Sequence, residues 1–184
     1  MMRRSGYGIS VEVPVGWSAA LVRRAAPADD SGLNRFDAQA PGDAVPDPRT
    51  LLSERTLPVL HLSTRPVPEG VGDFGGGAVE ALGPEDLFVA LLEYGSDLAD
   101  TGLFEKQGVP RLAPSQFGTN RMPREIVGRS ASQHFFSVGG RAFCLFTVLG
   151  SHSRRMATVP KAAQVARSLQ ITSAATMHAR GVSV

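Results

Sequence analysis

Apolar and polar side chains alternate near the start of the chain. Over Gly8–Val13, Ile9, Val11 and Val13 interleave with Ser10 and Glu12, the period-two pattern of a half-buried strand. Pro14-Val15-Gly16 then forms a turn, and Trp17–Arg23 reads as the returning strand of an N-terminal hairpin. Pro58–Thr64 predicts a third strand and Arg124–Ser132 a further one. Pro84–Tyr94 has the features of a helix. Pro84 suits the first turn, Glu85 and Asp86 complement the N-terminal dipole, and Gly95 stands at the stop. Leu87, Phe88, Leu91 and Leu92 then form one apolar stripe.

The most informative stretch is Gln133–Gly150, where two runs of aromatic and β-branched residues flank Gly139-Gly140. That pattern predicts a hairpin closed by a two-residue turn, which needs φ > 0 and hence glycine. The second arm is apolar on both faces, with Ala142, Cys144, Phe146 and Val148 on one and Phe143, Leu145 and Leu149 on the other. Such a strand belongs inside a covered sheet, so Phe143 and Phe146 are expected among the most buried side chains. Pro160–Leu169 predicts a second helix with Val165 and Leu169 turned inward beside Ala162 and Ala166, and Gln170–Ile171 a short edge strand.

The intervening segments lack a period. Residues 25–48 read as a long mobile loop pinned by Leu33 and Phe36, Gly70–Gly77 as a glycine-rich loop, and Leu98–Phe117 as loop anchored by Leu103, Phe104 and Phe117. The expected architecture is α+β: an antiparallel sheet with an N-terminal hairpin, a central Gly-Gly hairpin, and helices packed on the sheet. It forms a single domain over residues 1–172, with a frayed tail at 173–184.

Composition narrows the class. At 184 residues, 42% hydrophobic and 20% charged, the chain can bury one ordinary core. No apolar run approaches the ~18–20 residues of a membrane span. Met1-Met2-Arg3-Arg4 leads into Ser5-Gly6-Tyr7-Gly8 instead of an apolar signal segment, so a cytoplasmic location is expected. The single cysteine, Cys144, reads as a buried small hydrophobe. Arginine far outnumbers lysine and alanine is frequent, which points to GC-rich bacterial codon usage and not to function. The net charge of +2 conceals an asymmetry. Pro66–Glu105 holds nine acidic residues and no basic one, whereas Lys106–Val184 holds eleven basic residues and one acid, Glu125. Unless the fold interleaves them, these halves make a bipolar surface suited to charged partners or self-association.

Two segments carry a family resemblance: Pro14-Val15-Gly16-Trp17 near the start, and Val165-Ala166-Arg167-Ser168-Leu169-Gln170-Ile171 near the end. With the order of elements between them, they resemble the PsbP-like superfamily. Its members include the photosystem oxygen-evolving P subunit, a eukaryotic Ran-binding import factor and chaperones of type VI secretion effectors. The resemblance implies a non-catalytic domain that binds other proteins, and it transfers no binding residues.

Signatures of chemistry are sparse. Gly70-Val71-Gly72-Asp73-Phe74-Gly75 matches G-x-G-x-x-G. Pro66 and Pro68 separate it from the preceding strand, no long helix follows at once, and Glu69 and Asp73 would repel phosphate, so it reads as a plain loop. No two of His61, His134, His152 and His178 have metal-ligand spacing. The carboxylate pairs Glu85/Asp86 and Asp97/Asp100 read as a helix start and a solvated turn. No nucleophile elbow occurs. The expectation is therefore a protein that is not an enzyme and carries no cofactor or metal. It acts as a cytoplasmic protein-binding adaptor or chaperone-like accessory protein. The alternative is a small-molecule or lipid-binding module, ahead of an enzyme. The basic turn Ser151–Arg155 and the hairpin arginine nominate Arg141, His152, Arg154 and Arg155 as partner-binding residues. An acidic protein segment, of a partner or of a second copy, is the expected target. Nucleic acid is not, because the cations lack interleaved aromatic residues.

Overall fold

The computed structural model describes residues 1–25, 56–122 and 124–179. The expected loop at 25–48, with Leu33 and Phe36, lies outside the described residues apart from its first position. The described elements, in chain order, are β1 (Met2–Gly6), β2 (Ile9–Val13), β3 (Ser18–Ala25), β4 (Thr56–Ser63), α1 (Gly76–Glu80), β5 (Leu87–Gly95), β6 (Ser130–Val138), β7 (Arg141–Leu149), α2 (Arg155–Arg167), β8 (Gln170–Ile171) and α3 (Ala174–Ala179). Short 3₁₀ turns occupy Gly102–Phe104 and Pro114–Gln116. The fold is α+β, with two wholly antiparallel sheets: three strands in the order β1-β2-β8, and five in the order β3-β4-β5-β7-β6.

The five-stranded sheet is covered on both faces. On one, Leu60, Leu62, Leu87, Val89, Leu91, Phe136, Phe143, Leu145 and Leu149 pack against Ile9, Val11 and Val13 of β2 and Val159, Ala162, Val165 and Ala166 of α2. On the other, Val59, Phe88, Ala90, Leu92, Ala142, Cys144, Phe146 and Val148 meet Ala78 and Val79 of α1, Leu82 and Phe104. The face assignment read from the alternation in β7 holds residue for residue, and Phe143 and Phe146 are 0% and 1% exposed. Each such ring contributes about 1.5–3 kcal/mol by leaving water.

The β6–β7 hairpin closes through Gly139 (φ 58°) and Gly140 (φ 75°), with Val138 opposite Arg141. Two positive φ values in a two-residue loop are the type I′ turn, whose twist matches the flanking strands. Gln170–Ile171 is the expected edge strand, and it pairs with Ile9 and Ser10 of β2.

Several expectations are corrected. Pro84–Tyr94 is not a helix: Leu87–Gly95 is β5, the middle strand of the five, and every residue in it is buried. Glu85 and Asp86 therefore serve no helix dipole. Asp86 instead fixes the turn into β5, accepting from the Gly83 amide (2.9 Å) and Thr64 Oγ1 (2.8 Å). An N-terminal hairpin exists, but it joins β1 to β2 across Tyr7-Gly8. The Pro14–Trp17 turn, closed by the Trp17 amide on the Pro14 carbonyl at 3.2 Å, carries the chain from one sheet to the other. The strand expected at Arg124–Ser132 begins only at Ser130. Helix α2 starts at Arg155, so Pro160 lies inside it, on its exposed side. Of the expected loop anchors, Phe104 and Phe117 are buried but Leu103 is 56% exposed. The tail from Ser173 is not frayed through Ala179: α3 buries Met177, and the Ala174 amide donates to the Gly139 carbonyl at 2.8 Å.

That last contact separates the two turn glycines. A Cβ on Gly139 would lie 2.8 Å from both Cα and Cβ of Ser173, whereas one on Gly140 would meet only the Ala174 methyl at 3.8 Å. Gly140→Val should cost about 1–3 kcal/mol from backbone strain alone. Gly139→Val should cost more, because the backbone at Ser173 must also move. Urea denaturation of the two variants checks the order; equal losses would contradict it.

Candidate functional site

The four nominated residues do not assemble into one site. Arg141 lies at 0% exposure on the sheet face covered by β2, so it cannot meet a partner. Its guanidinium grips Glu93 of β5 bidentately, Nε to Oε1 at 2.8 Å and Nη2 to Oε2 at 2.6 Å. The three remaining N–H groups donate to the carbonyls of Tyr7 (3.0 Å), Thr172 (3.0 Å) and Gly8 (3.4 Å). All five donors of the fork are thus used, as a buried guanidinium requires. Arg154 forms an ion pair with Glu85, and both side chains are half-exposed. Arg155 folds onto its own turn, with Nη1 donating to the His152 carbonyl at 3.1 Å. His152 is half-buried, its amide donates to the Gly128 carbonyl at 2.7 Å, and its buried Nδ1 has no hydrogen-bond partner.

Pairing within the chain also answers the charge asymmetry. Acids of the Pro66–Glu105 stretch meet arginines of the basic half: Glu80 with Arg124 (3.3 Å), Glu85 with Arg154, and Glu93 with Arg141. Arg129 donates to the carbonyls of Glu80 (2.8 Å) and Leu82 (2.9 Å). The N-terminal half supplies Arg24 to Asp73 (3.2 Å) and Arg65 to Asp86 (3.9 Å). The acidic segment that the arginines reach is the chain's own.

Within the described residues of the basic half, setting aside these pairs and the carbonyl-bonded Arg129 and Arg155 leaves Lys106, Arg111, Arg121, Lys161 and Arg167, all exposed and in no ion pair with a described residue. Three of the five ride on residues 106–121, a stretch without an acid. This strap runs along the outer edge of β6. The Ser137 amide donates to the Lys106 carbonyl (2.7 Å), and the Gly108 amide to the Ser137 carbonyl (2.8 Å). Gly118 and Ala131 exchange both backbone bonds, at 3.0 and 2.9 Å. Between those ties, Leu112 and Phe117 enter the core beneath α2. Arg111 and Leu112 of the strap and Ala163 and Arg167 of α2 line a surface hollow of about 300 Å³. Leu112 and Ala163 are its buried, apolar members, and Arg111 and Arg167 are its exposed, charged ones. The strap has no hydrophobic period and no motif. Its one sequence signal is a run of three cations without an acid.

The remaining candidates for chemistry are accounted for structurally. Burial pushes the Cys144 thiol up to about 12, so the thiolate needed for nucleophilic work is scarce at neutral pH. Tyr94 is raised by burial as well. No group of three His, Cys, Asp or Glu among the described residues is placed to hold a metal ion. The glycine-rich loop leads into the five-residue helix α1, and a Cβ on Gly75 would strike the Phe88 ring and Val79 at 2.7 Å. The loop is close-packed on the core at Gly75, and its Asp73 carbonyl bonds His61 Nε2 at 2.9 Å. No helix among the described residues is long and apolar enough to cross a membrane. None of the known protein-family models, curated proteins or solved structures matches this chain.

Two outcomes follow from the buried ionisable groups. Arg141→Met leaves Glu93 buried and unpaired, and should cost about 3–5 kcal/mol in urea denaturation. Adding Glu93→Leu should recover much of that loss but not all, since the Tyr7, Gly8 and Thr172 carbonyls still lack their donor. A double variant no better than the single would show that the pair is not the source of the loss.

Burial also lowers the His61 pKa, against the smaller raising effect of its bond to the Asp73 carbonyl. The unfolded chain, titrating near ~6.5, then binds more protons than the native chain below that pH. The contribution is complete above ~6.5 and is lost as pH falls towards the folded value. Stability should drop between pH 7 and pH 5, and the drop should shrink in His61→Gln, whose amide can still donate to Asp73. His134, lowered by burial and then by Lys106 and Arg121, accounts for a further part. An identical pH profile in the variant would remove His61 from this account.

Proposed function

We propose that the chain is a non-catalytic domain that binds another protein, as an adaptor or chaperone-like accessory protein acting in the cytoplasm. One observation carries this reading. Two exposed arginines outside the ion pairs of the described residues, Arg111 on the backbone strap and Arg167 on the helix beside it, line one hollow together with the core residues Leu112 and Ala163. The resemblance of Pro14–Trp17 and Val165–Ile171 to PsbP-like proteins supports the same reading from another direction. So does the structural role found for Cys144, buried in the core, and for His61, bonded to the Asp73 carbonyl.

The experiment is affinity capture with the intact chain, followed by the same capture with Arg111→Glu and Arg167→Glu introduced together. A defined protein retained in stoichiometric amount by the wild type is expected. The variant should bind it about tenfold or more weakly, the loss growing as salt is lowered. No specific protein retained under any salt condition would overturn the proposal.

A further inference from the structure

The hollow has a more definite chemistry than a basic patch. Its floor is Leu112 and Ala163, each less than a tenth exposed and each part of the core. Its walls are Arg111, the neighbour of Leu112 on the strap, and Arg167, one helical turn beyond Ala163 on the same face of α2. Neither arginine has an ion-pair partner among the described residues, and neither the strap nor α2 contains an acidic residue. Both walls of the hollow therefore carry positive charge.

Building on the protein-binding reading, we infer that this hollow receives one aliphatic side chain of a partner segment that carries a carboxylate on each side of it. The alkyl group covers Leu112 and Ala163, and the guanidinium forks take the flanking carboxylates. Arginine suits that arrangement because its planar donors bind a carboxylate bidentately while its methylene stem packs along the apolar floor. Phosphates would satisfy the forks but not the floor. A single-stranded nucleic acid would also require exposed aromatic faces for its bases, and none lines the hollow. An acidic, aliphatic protein segment is the occupant that uses both features.

The strap is suited to present these groups without first being ordered. It is tied to β6 at Lys106–Gly108 and at Gly118, and is pinned to the core by Leu112 and Phe117. A binding surface already held in place loses less freedom on association.

The test is a backbone-amide NMR titration of the full chain with the short peptide GSDLEGS, blocked at both ends, up to millimolar concentration. Two control peptides, GSNLQGS and GSDSEGS, remove the charges and the leucine in turn. A single-stranded DNA is titrated in parallel. The amides of residues 111–112 and 163–167 should shift with the acidic leucine peptide, and much less with either control. Affinity should fall about tenfold in Arg111→Glu/Arg167→Glu. It should also weaken between ~0.1 M and ~1 M salt, where the screening length shrinks from ~10 Å to ~3 Å. No shifts at these amides, equal shifts with a control peptide, or stronger binding of the DNA there would overturn the inference. A protein partner captured equally well by the charge-reversed variant would reject this hollow while leaving the protein-binding reading intact. Absence of any partner would reject that reading itself.

Discussion

A buried guanidinium holds the two sheets together. Arg141 stands at the start of β7, Glu93 near the end of β5, and the carbonyls that complete the fork belong to the β1–β2 turn and to the chain just after β8. One side chain therefore joins the five-stranded sheet to one end of the three-stranded sheet, where the β1–β2 turn meets the end of β8. Burying two charges is expensive, and the expense is tolerated only where every donor finds an acceptor. That requirement shapes the neighbourhood. Gly8 has φ 72°, and a Cβ there would lie 2.8 Å from Arg141 Nη1 and 2.6 Å from the Met177 sulfur. Gly139 is similarly pressed by Ser173. Three chain reversals meet at this pole of the molecule, and α3 closes over them.

The same ion pair shows why the helix expected at Pro84–Tyr94 had a consequence beyond its own residues. Leu87–Leu92 is six consecutive apolar residues, and a continuous run has no period to separate strand from helix. Pro84, Glu85 and Asp86 then resemble a helix start, although Asp86 is the acceptor of a turn. β7 escapes the ambiguity because Gly139-Gly140 fixes its beginning and its aromatic and β-branched residues favour the pleated surface. Once β5 is a strand paired with β7, Glu93 stands opposite Phe143, two residues from Arg141 and on the same face. A helical Glu93 would point to solvent and leave Arg141 free at a hairpin tip. The assignment of Arg141 to a partner surface thus follows from the local misreading of β5.

The N-terminal region follows the same logic. Pro14-Val15-Gly16-Trp17 is a turn in sequence and in structure, but a turn says nothing of which strands pair across it. The hairpin actually formed reverses at Tyr7-Gly8, where Tyr7 adopts φ 51°, a conformation uncommon for a residue with a Cβ. Its pairing is decided by β8, which arrives from the far end of the chain to pair with β2. Contacts of that sequence separation have no local signature. The apolar composition of α2 was legible because it depends on neighbouring residues alone.

Charge is where composition and surface diverge most. Counted along the chain, the acidic and basic halves suggest a dipolar molecule. In the fold the two halves meet, since β5 lies against β7 and the segment ahead of β5 brings Glu80 and Glu85 to Arg124 and Arg154. The arginines that meet the acidic stretch are consumed by it, so Arg154, conspicuous in the basic turn, is paired with Glu85. Of the basic half, Lys106, Arg111, Arg121, Lys161 and Arg167 stay outside the ion pairs and sit on the strap and on α2. Their position there is a by-product of covering an edge strand. An exposed β6 edge would offer open backbone groups to another chain, and the strap removes that hazard by pairing at both ends and burying Leu112 and Phe117. Once those side chains turn inward, the alternating neighbours of the strap must turn outward, and Arg111 is one of them. The element that protects the sheet edge thereby fixes the charged rim of the hollow.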